Sequence, residues 1–102
     1  MIYVVATIEL VEGMREQFLA EQRKLLPLVR AEQGCIEYVP TVDLPLTDPP
    51  KTLVRANCIV MQEKWQTLDN LRAHAVAPHM NDFRVKSKSM VVSTKVEVFQ
   101  PV

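Results

Sequence analysis

Glu63-Lys64-Trp65-Gln66-Thr67-Leu68-Asp69-Asn70-Leu71-Arg72-Ala73-His74-Ala75-Val76-Ala77-Pro78-His79-Met80 reads as a strand that ends at Trp65 and a helix that begins at Thr67. Threonine is a favoured N-cap, and Asp69 puts an acid in the first turn, where the helix dipole favours it. The apolar spacing predicts a helix that turns Leu68, Leu71 and Ala75 inward and stops before Pro78. A second helical piece, from His79 to about Ser89, turns Met80 and Phe83 inward. The stretch holds the only tryptophan and both histidines of the chain. Side chains able to hold a flat ligand or move a proton are therefore concentrated at one strand–helix corner.

Upstream of this corner, Leu53 to Trp65 is expected to be the third strand. Its alternation separates Arg55, Asn57, Ile59, Met61, Glu63 and Trp65 from Val54, Ala56, Cys58, Val60 and Gln62. The first strand covers residues 2–10, with Ile2, Val4, Ala6, Ile8 and Leu10 on one face. From Met14 to about Glu32 the apolar positions Met14, Phe18, Leu25, Leu26 and Val29 recur at helical spacing. Pro27 removes a donor inside that helix and predicts a kink or restart. Gly34 supplies a left-handed stop. Cys35 to Val42 is a second strand, and Pro40 assigns it to a sheet edge or a bulge. Residues 43–52 form a proline-stiffened loop, either a cover for a pocket or subunit contact or a plain surface excursion. A valine-rich last strand runs from Met90 to Phe99.

The element order is β-α-β-β-α-β in a single domain, residues 1–102. Right-handed crossovers then favour an α+β, ferredoxin-like split βαβ sandwich: a four-stranded antiparallel sheet with both helices on one face. The first, third and last strands carry apolar residues on both faces, as Val5, Ile59 or Val60, and Val91, Phe99 or Val98 show. Two helices cover one face, so the other is expected to pair with a second copy as a homodimer.

Composition excludes several classes of function. Twelve basic and twelve acidic side chains balance, although residues 1–51 carry a net −3 and residues 52–102 a net +3. Arg84, Lys86 and Lys88 alone do not make the sustained positive face that nucleic acid requires. No apolar run reaches the roughly 20 residues of a membrane span, and the start has no signal-peptide pattern. Cys35 and Cys58, without close spacing, suit reduced thiols in a cytoplasmic protein. His74 and His79 would lie about 140° apart on a continuous helix and no cysteine or carboxylate cluster completes a set, so no metal is expected. With two glycines in the chain there is no dinucleotide-binding loop.

The Glu63-x-Trp65 strand end, the Thr67-to-His74 helix and the Ala77-Pro78-His79-Met80 run with Phe83 together resemble the antibiotic biosynthesis monooxygenase family, including its small quinol monooxygenases. Gly34 before Tyr38 and the valine-rich last strand extend the likeness over essentially the whole chain. The resemblance implies a ferredoxin-like dimer that oxygenates quinol- or anthrone-like substrates with dioxygen, using neither metal nor flavin. The family also contains heme-degrading enzymes and an isomerase of a signalling sugar phosphate. Heme-degrading members pair an asparagine on the first strand with a tryptophan and a histidine on the second helix. Here the strand offers Ala6 and Thr7, and His74 takes the tryptophan's place, so heme degradation is not expected. An anthrone-oxidising relative has an asparagine four residues before the strand tryptophan, where this chain has Met61.

His74 is the candidate base, since imidazole titrates near neutrality and can take a phenolic proton; its alternative is a structural helix histidine. Trp65 is either a flat wall for an aromatic ligand or core mass. Tyr38 and His79 are candidate donors to a substrate oxygen, and Met80 and Phe83 candidate lining. Glu63 is expected to form an interface ion pair, with Arg55 or a residue of the other subunit, if its strand face meets the partner; its alternative is a catalytic carboxylate. The competing functions are a non-catalytic dimeric module for a small hydrophobic ligand, and an isomerase in which Arg72 or Arg84 would recognise phosphate.

Overall fold

The computed structural model describes residues 1–102. Strands β1 (Ile2–Leu10), β2 (Cys35–Thr41), β3 (Cys58–Trp65) and β4 (Val91–Phe99) alternate with helices α1 (Arg15–Arg30), α2 (Leu68–Ala75) and α3 (Pro78–Ser87). A single 3₁₀ turn, Lys88–Met90, joins α3 to β4. The sheet order is β2-β3-β1-β4 with every neighbouring pair antiparallel, a ferredoxin-like arrangement. Pro40 sits in edge strand β2, and the β2 register shifts between Cys35 and Glu37.

The sheet face toward the helices carries Val4, Ala6, Ile8 and Leu10 from β1 and Ile59, Met61, Glu63 and Trp65 from β3, all buried. Helix α1 answers with Phe18, Gln22, Leu25 and Val29, spaced as one stripe of a 3.6-residue helix. The helix continues through Pro27, where a kink or restart was expected. Pro27 and Arg23 both lie on its exposed side, so the carbonyl that loses its donor faces water. Gly34 takes φ +79 not as the helix stop but in a turn closed by Cys35 N–H donating to Glu32 O at 3.2 Å. A Cβ there would collide with the Asn70 side chain, so glycine lets the turn lie against the start of α2 without displacing it. Thr67 caps α2 by accepting from Asn70 N–H at 3.1 Å.

Three expectations are corrected. Strand β3 starts at Cys58, not Leu53, because Arg55 is drawn into the preceding loop. Its guanidinium donates to both Asp43 carboxylate oxygens at 2.8 Å, and its own N–H to Oδ2 at 2.9 Å. The loop beside it lines no part of the main cavity. Of the residues expected inward on α2, Leu68 is exposed and Leu71 half-buried, and the only buried side chain is His74. Leu71 packs against the edge of the core, and both Leu71 and Ala75 line a hollow beneath the helix. Glu63, finally, is on the helix side of the sheet, and Arg55 is committed to Asp43.

The opposite sheet face is bare. Tyr3, Val39 and Phe99 are exposed there, with half-buried Val5 and Val60 between them and Gln62, Lys64, Lys95 and Glu97 interspersed.

Candidate functional site

The hollow beneath α2 is a cavity of about 510 Å³. Its floor is the helix-side sheet face, including Val4, Ala6, Ile8 and Met61, and its roof is Phe18, Leu71, Met80 and Phe83. Most of the lining is apolar, as a pocket for an aromatic ring requires. The polar groups divide into two sets. Tyr38, Glu63 and His74 gather at the β2–β3 side, while Arg84, Ser87, Lys88 and Thr94 stand toward edge strand β4.

His74 is the centre of the first set. Its ring is 6 % exposed, lies 4.6 Å from the Trp65 ring at 34°, and meets the Tyr38 ring edge-on at 5.4 Å. Its Nδ1 is 2.9 Å from Glu32 Oε2. That same oxygen is 2.8 Å from His79 Nε2. An ionised carboxylate only accepts, so both nitrogens facing it carry hydrogen, and the lone pair of His74 is on Nε2. A carboxylate behind one imidazole nitrogen fixes the tautomer and stabilises the imidazolium once the other nitrogen takes a proton. The Gly34 turn delivers Glu32 to this position.

Glu63 is the second acid. Its Oε1 accepts from Trp65 Nε1 at 2.9 Å. Tyr38 and Val4 are its cross-strand neighbours. Burial pushes its carboxyl above the ordinary value; the Trp65 hydrogen bond and His74 oppose that shift, and the charge of Glu32 adds to it. Burial, with Glu63 and Glu32 nearby, also lifts the Tyr38 phenol, which therefore stays a donor at neutral pH. Gln22 reaches in from α1, its Nε2 donating to Met61 Sδ at 3.0 Å and its Oε1 buried without a partner.

Of the residues singled out in the sequence, His74, Tyr38, Met80 and Phe83 line this cavity together. Trp65 does not: it is fully buried behind His74 and acts on the site through the ring contact and the Glu63 hydrogen bond. His79 also lies off the cavity, in a shallow surface hollow with Glu21, Lys24, Asp82 and Lys86. The break between α2 and α3 cancels the 140° separation expected of a continuous helix and lets both imidazoles converge on Glu32. No group of three His, Cys, Asp or Glu side chains has the arrangement to hold a metal ion. Glu32 and Gln22 were not found by sequence reasoning. The only signals were two histidines in need of an acceptor and a gap at position 22 in an otherwise apolar stripe.

Comparison with known proteins identifies the family and the fold. Residues 1–86 match the family described as antibiotic biosynthesis monooxygenase. The chain is 31 % identical to the protein named Probable quinol monooxygenase YgiN of Escherichia coli strain K12, over 99 % of this chain and 98 % of that one. A conserved protein from Methanosarcina mazei superimposes with a TM-score of 0.84 at 19 % identity, covering 99 % and 92 % of the two chains. PA3566 from Pseudomonas aeruginosa does so with a TM-score of 0.79 at 24 % identity, covering 99 % and 93 %. At those identities the structural matches speak for the fold alone.

Proposed function

The chain belongs to the antibiotic biosynthesis monooxygenase family, and from that premise we propose that it oxidises a quinol, phenol or anthrone-like aromatic with dioxygen, without metal or organic cofactor. The carrying observation is His74, which lines an apolar cavity with Nδ1 anchored by Glu32 and Nε2 as its other ring nitrogen. A ring seated there gives its hydroxyl proton to Nε2. The resulting anion passes one electron to dioxygen, and the two radicals recombine as a carbon-bound peroxide. Loss of water leaves an oxygen on the ring. The substrate is its own reductant. Tyr38, protonated and on the same wall, donates to the developing oxyanion. Met80 and Phe83 hold the ring in place.

The bare sheet face supports a homodimer built across it, with Tyr3, Val5, Val39, Val60 and Phe99 as its apolar centre. Gel filtration tests this; a stable monomer refutes it. Free thiols at Cys35 and Cys58 suit a reducing compartment, which supports a cytoplasmic location. No helix is long and apolar enough to cross a membrane.

The test of the reaction is oxygen uptake and hydroxyquinone formation with menadiol-type quinols. Catalysis above the spontaneous rate in air, lost without oxygen and in His74→Ala, is the expected result. Equal aerobic and anaerobic rates, no faster than without protein, would end this reading.

A further inference from the structure

The mechanism above leaves one buried ionisable group on the cavity wall without a task. We propose that Glu63 is the general acid of the same site, handing a proton from its free carboxyl oxygen to the oxygen adduct formed beside it. The inference rests on the oxygenase reading and deepens it.

Glu63 is 7 % exposed and lines the cavity, yet no cation pairs with it. Its one hydrogen bond, from Trp65, engages Oε1, and Oε2 makes none. A carboxylate ion with a single neutral donor in an apolar pocket is poorly solvated, whereas a carboxylic acid there costs little and has a proton to give. The groups facing it are His74 from α2, Tyr38 and Cys35 from β2, Glu32 from the turn after α1, and, across the cavity, Arg84 and Lys88. His74 is the cation-forming group among its near neighbours, and Glu32 already holds it. Two titratable groups on one wall thus stand in opposite environments. His74 is held through Nδ1 by the Glu32 carboxylate, and Glu63 is buried with a single neutral donor, so that its neutral form is favoured. That opposition is how a base and an acid are told apart.

The proton balance closes with these two groups. His74 Nε2 takes the hydroxyl proton, and the substrate anion joins dioxygen as a carbon–peroxide anion. Glu63 protonates the distal peroxide oxygen. As the O–O bond breaks, the Glu63 carboxylate removes the hydrogen from the same carbon, and the departing hydroxide takes the proton held by His74. The substrate has lost four electrons; one oxygen atom has become a ring carbonyl and the other water. Both residues regain their starting states.

Glu63→Gln keeps an acceptor for Trp65 but has no proton to donate. In air with a menadiol-type quinol, the variant is expected to consume oxygen while forming hydroxyquinone about a hundredfold more slowly, the difference leaving as hydrogen peroxide. Glu63→Asp should restore part of the hydroxyquinone yield. A fold defect alone would lower both products together and leave their ratio unchanged. In the wild type, the infrared spectrum at pH 7 should retain the stretch of a protonated carboxyl, which needs no variant to be seen. A wild type that oxygenates the quinol while Glu63→Gln keeps the wild-type peroxide-to-product ratio overturns the role of Glu63 alone. Absence of the protonated-carboxyl band also overturns it. A wild type that leaves the quinol untouched removes the oxygenase reading and this role with it.

Discussion

Replacing Glu32 by Gln tests the site at the atom on which most of it depends. One oxygen of this carboxylate serves His74 at 2.9 Å and His79 at 2.8 Å, with the Glu32 side chain 13 % exposed. Each charge-assisted hydrogen bond is worth about 1.5–3 kcal/mol and a neutral one about 1 kcal/mol. The half-buried His79 arm stands at the low end. The amide replaces two strong bonds by at most two weak ones, a loss of about 1–3 kcal/mol, or a fall in Tm of roughly 5–15 °C for a chain of this size. The effect on turnover is larger, because an amide neither fixes the His74 tautomer nor stabilises its imidazolium. In the serine-protease triad the equivalent change costs about 10⁴ in rate. Glu32 divides its charge between two rings and is partly solvated, so a loss of about 10²–10³ in kcat is expected, or about 2.7–4 kcal/mol of barrier. Oxygen uptake with a quinol measures the rate, and a thermal melt of the same preparation separates it from unfolding. His79→Ala is the comparator, removing only the outer arm, and should leave kcat within a few-fold. A Glu32→Gln protein with near wild-type kcat and an unchanged pH profile would refute the assignment of His74 as a carboxylate-backed base.

Other outcomes follow from the same contacts. Glu63 has its folded-state carboxyl raised above the ordinary value of 4.5 by burial, so the folded chain binds more protons than the unfolded one between those two values. Stability should fall as pH rises through that window, and Glu63→Gln should abolish the fall; melts from pH 4 to 7 show it or refute it. Gly34→Ala forces a side chain onto a backbone at φ +79 and against Asn70, so denaturant unfolding should report a loss of at least about 1–3 kcal/mol. Activity should fall with it, since the turn carries Glu32. Gln22→Met removes a buried acceptor that has no partner and should leave stability unchanged or raise it by up to about 1 kcal/mol, as read from the denaturant midpoint. A clear loss would mean that an ordered water satisfies Oε1.

Much of the framework was legible because it is written in periodicity. Alternation along residues 2–10 and the stripe Phe18, Leu25, Val29 need no tertiary knowledge, and Pro40 declares an edge by lacking a donor. The third strand was partitioned into the right two sets from Cys58 on, yet a period of two does not say which set faces the helices. The side taken by Glu63 was therefore left open, and the ion pair considered for the outer face does not arise. Arg55 extended the predicted strand because its competitor, Asp43, lies twelve residues away, beyond any local window. The inward face of α2 was only partly legible because the helix lies over a cavity, which leaves Leu71 half-buried and Ala75 exposed on its wall. Glu32 was illegible for a similar reason, since its partners are 42 and 47 residues distant and only the Gly34 turn brings them together.

The two margins of the sheet are unlike. On the β2 side the outermost ladder is interrupted by Pro40 and by the slip between Cys35 and Glu37, so an incoming strand finds few consecutive backbone groups to dock on. On the β4 side nine residues run free, with Val92, Val96 and Val98 exposed and only Lys95 and Glu97 as charges. Strand addition to this sheet is therefore favoured at its β4 margin and blunted at its β2 margin.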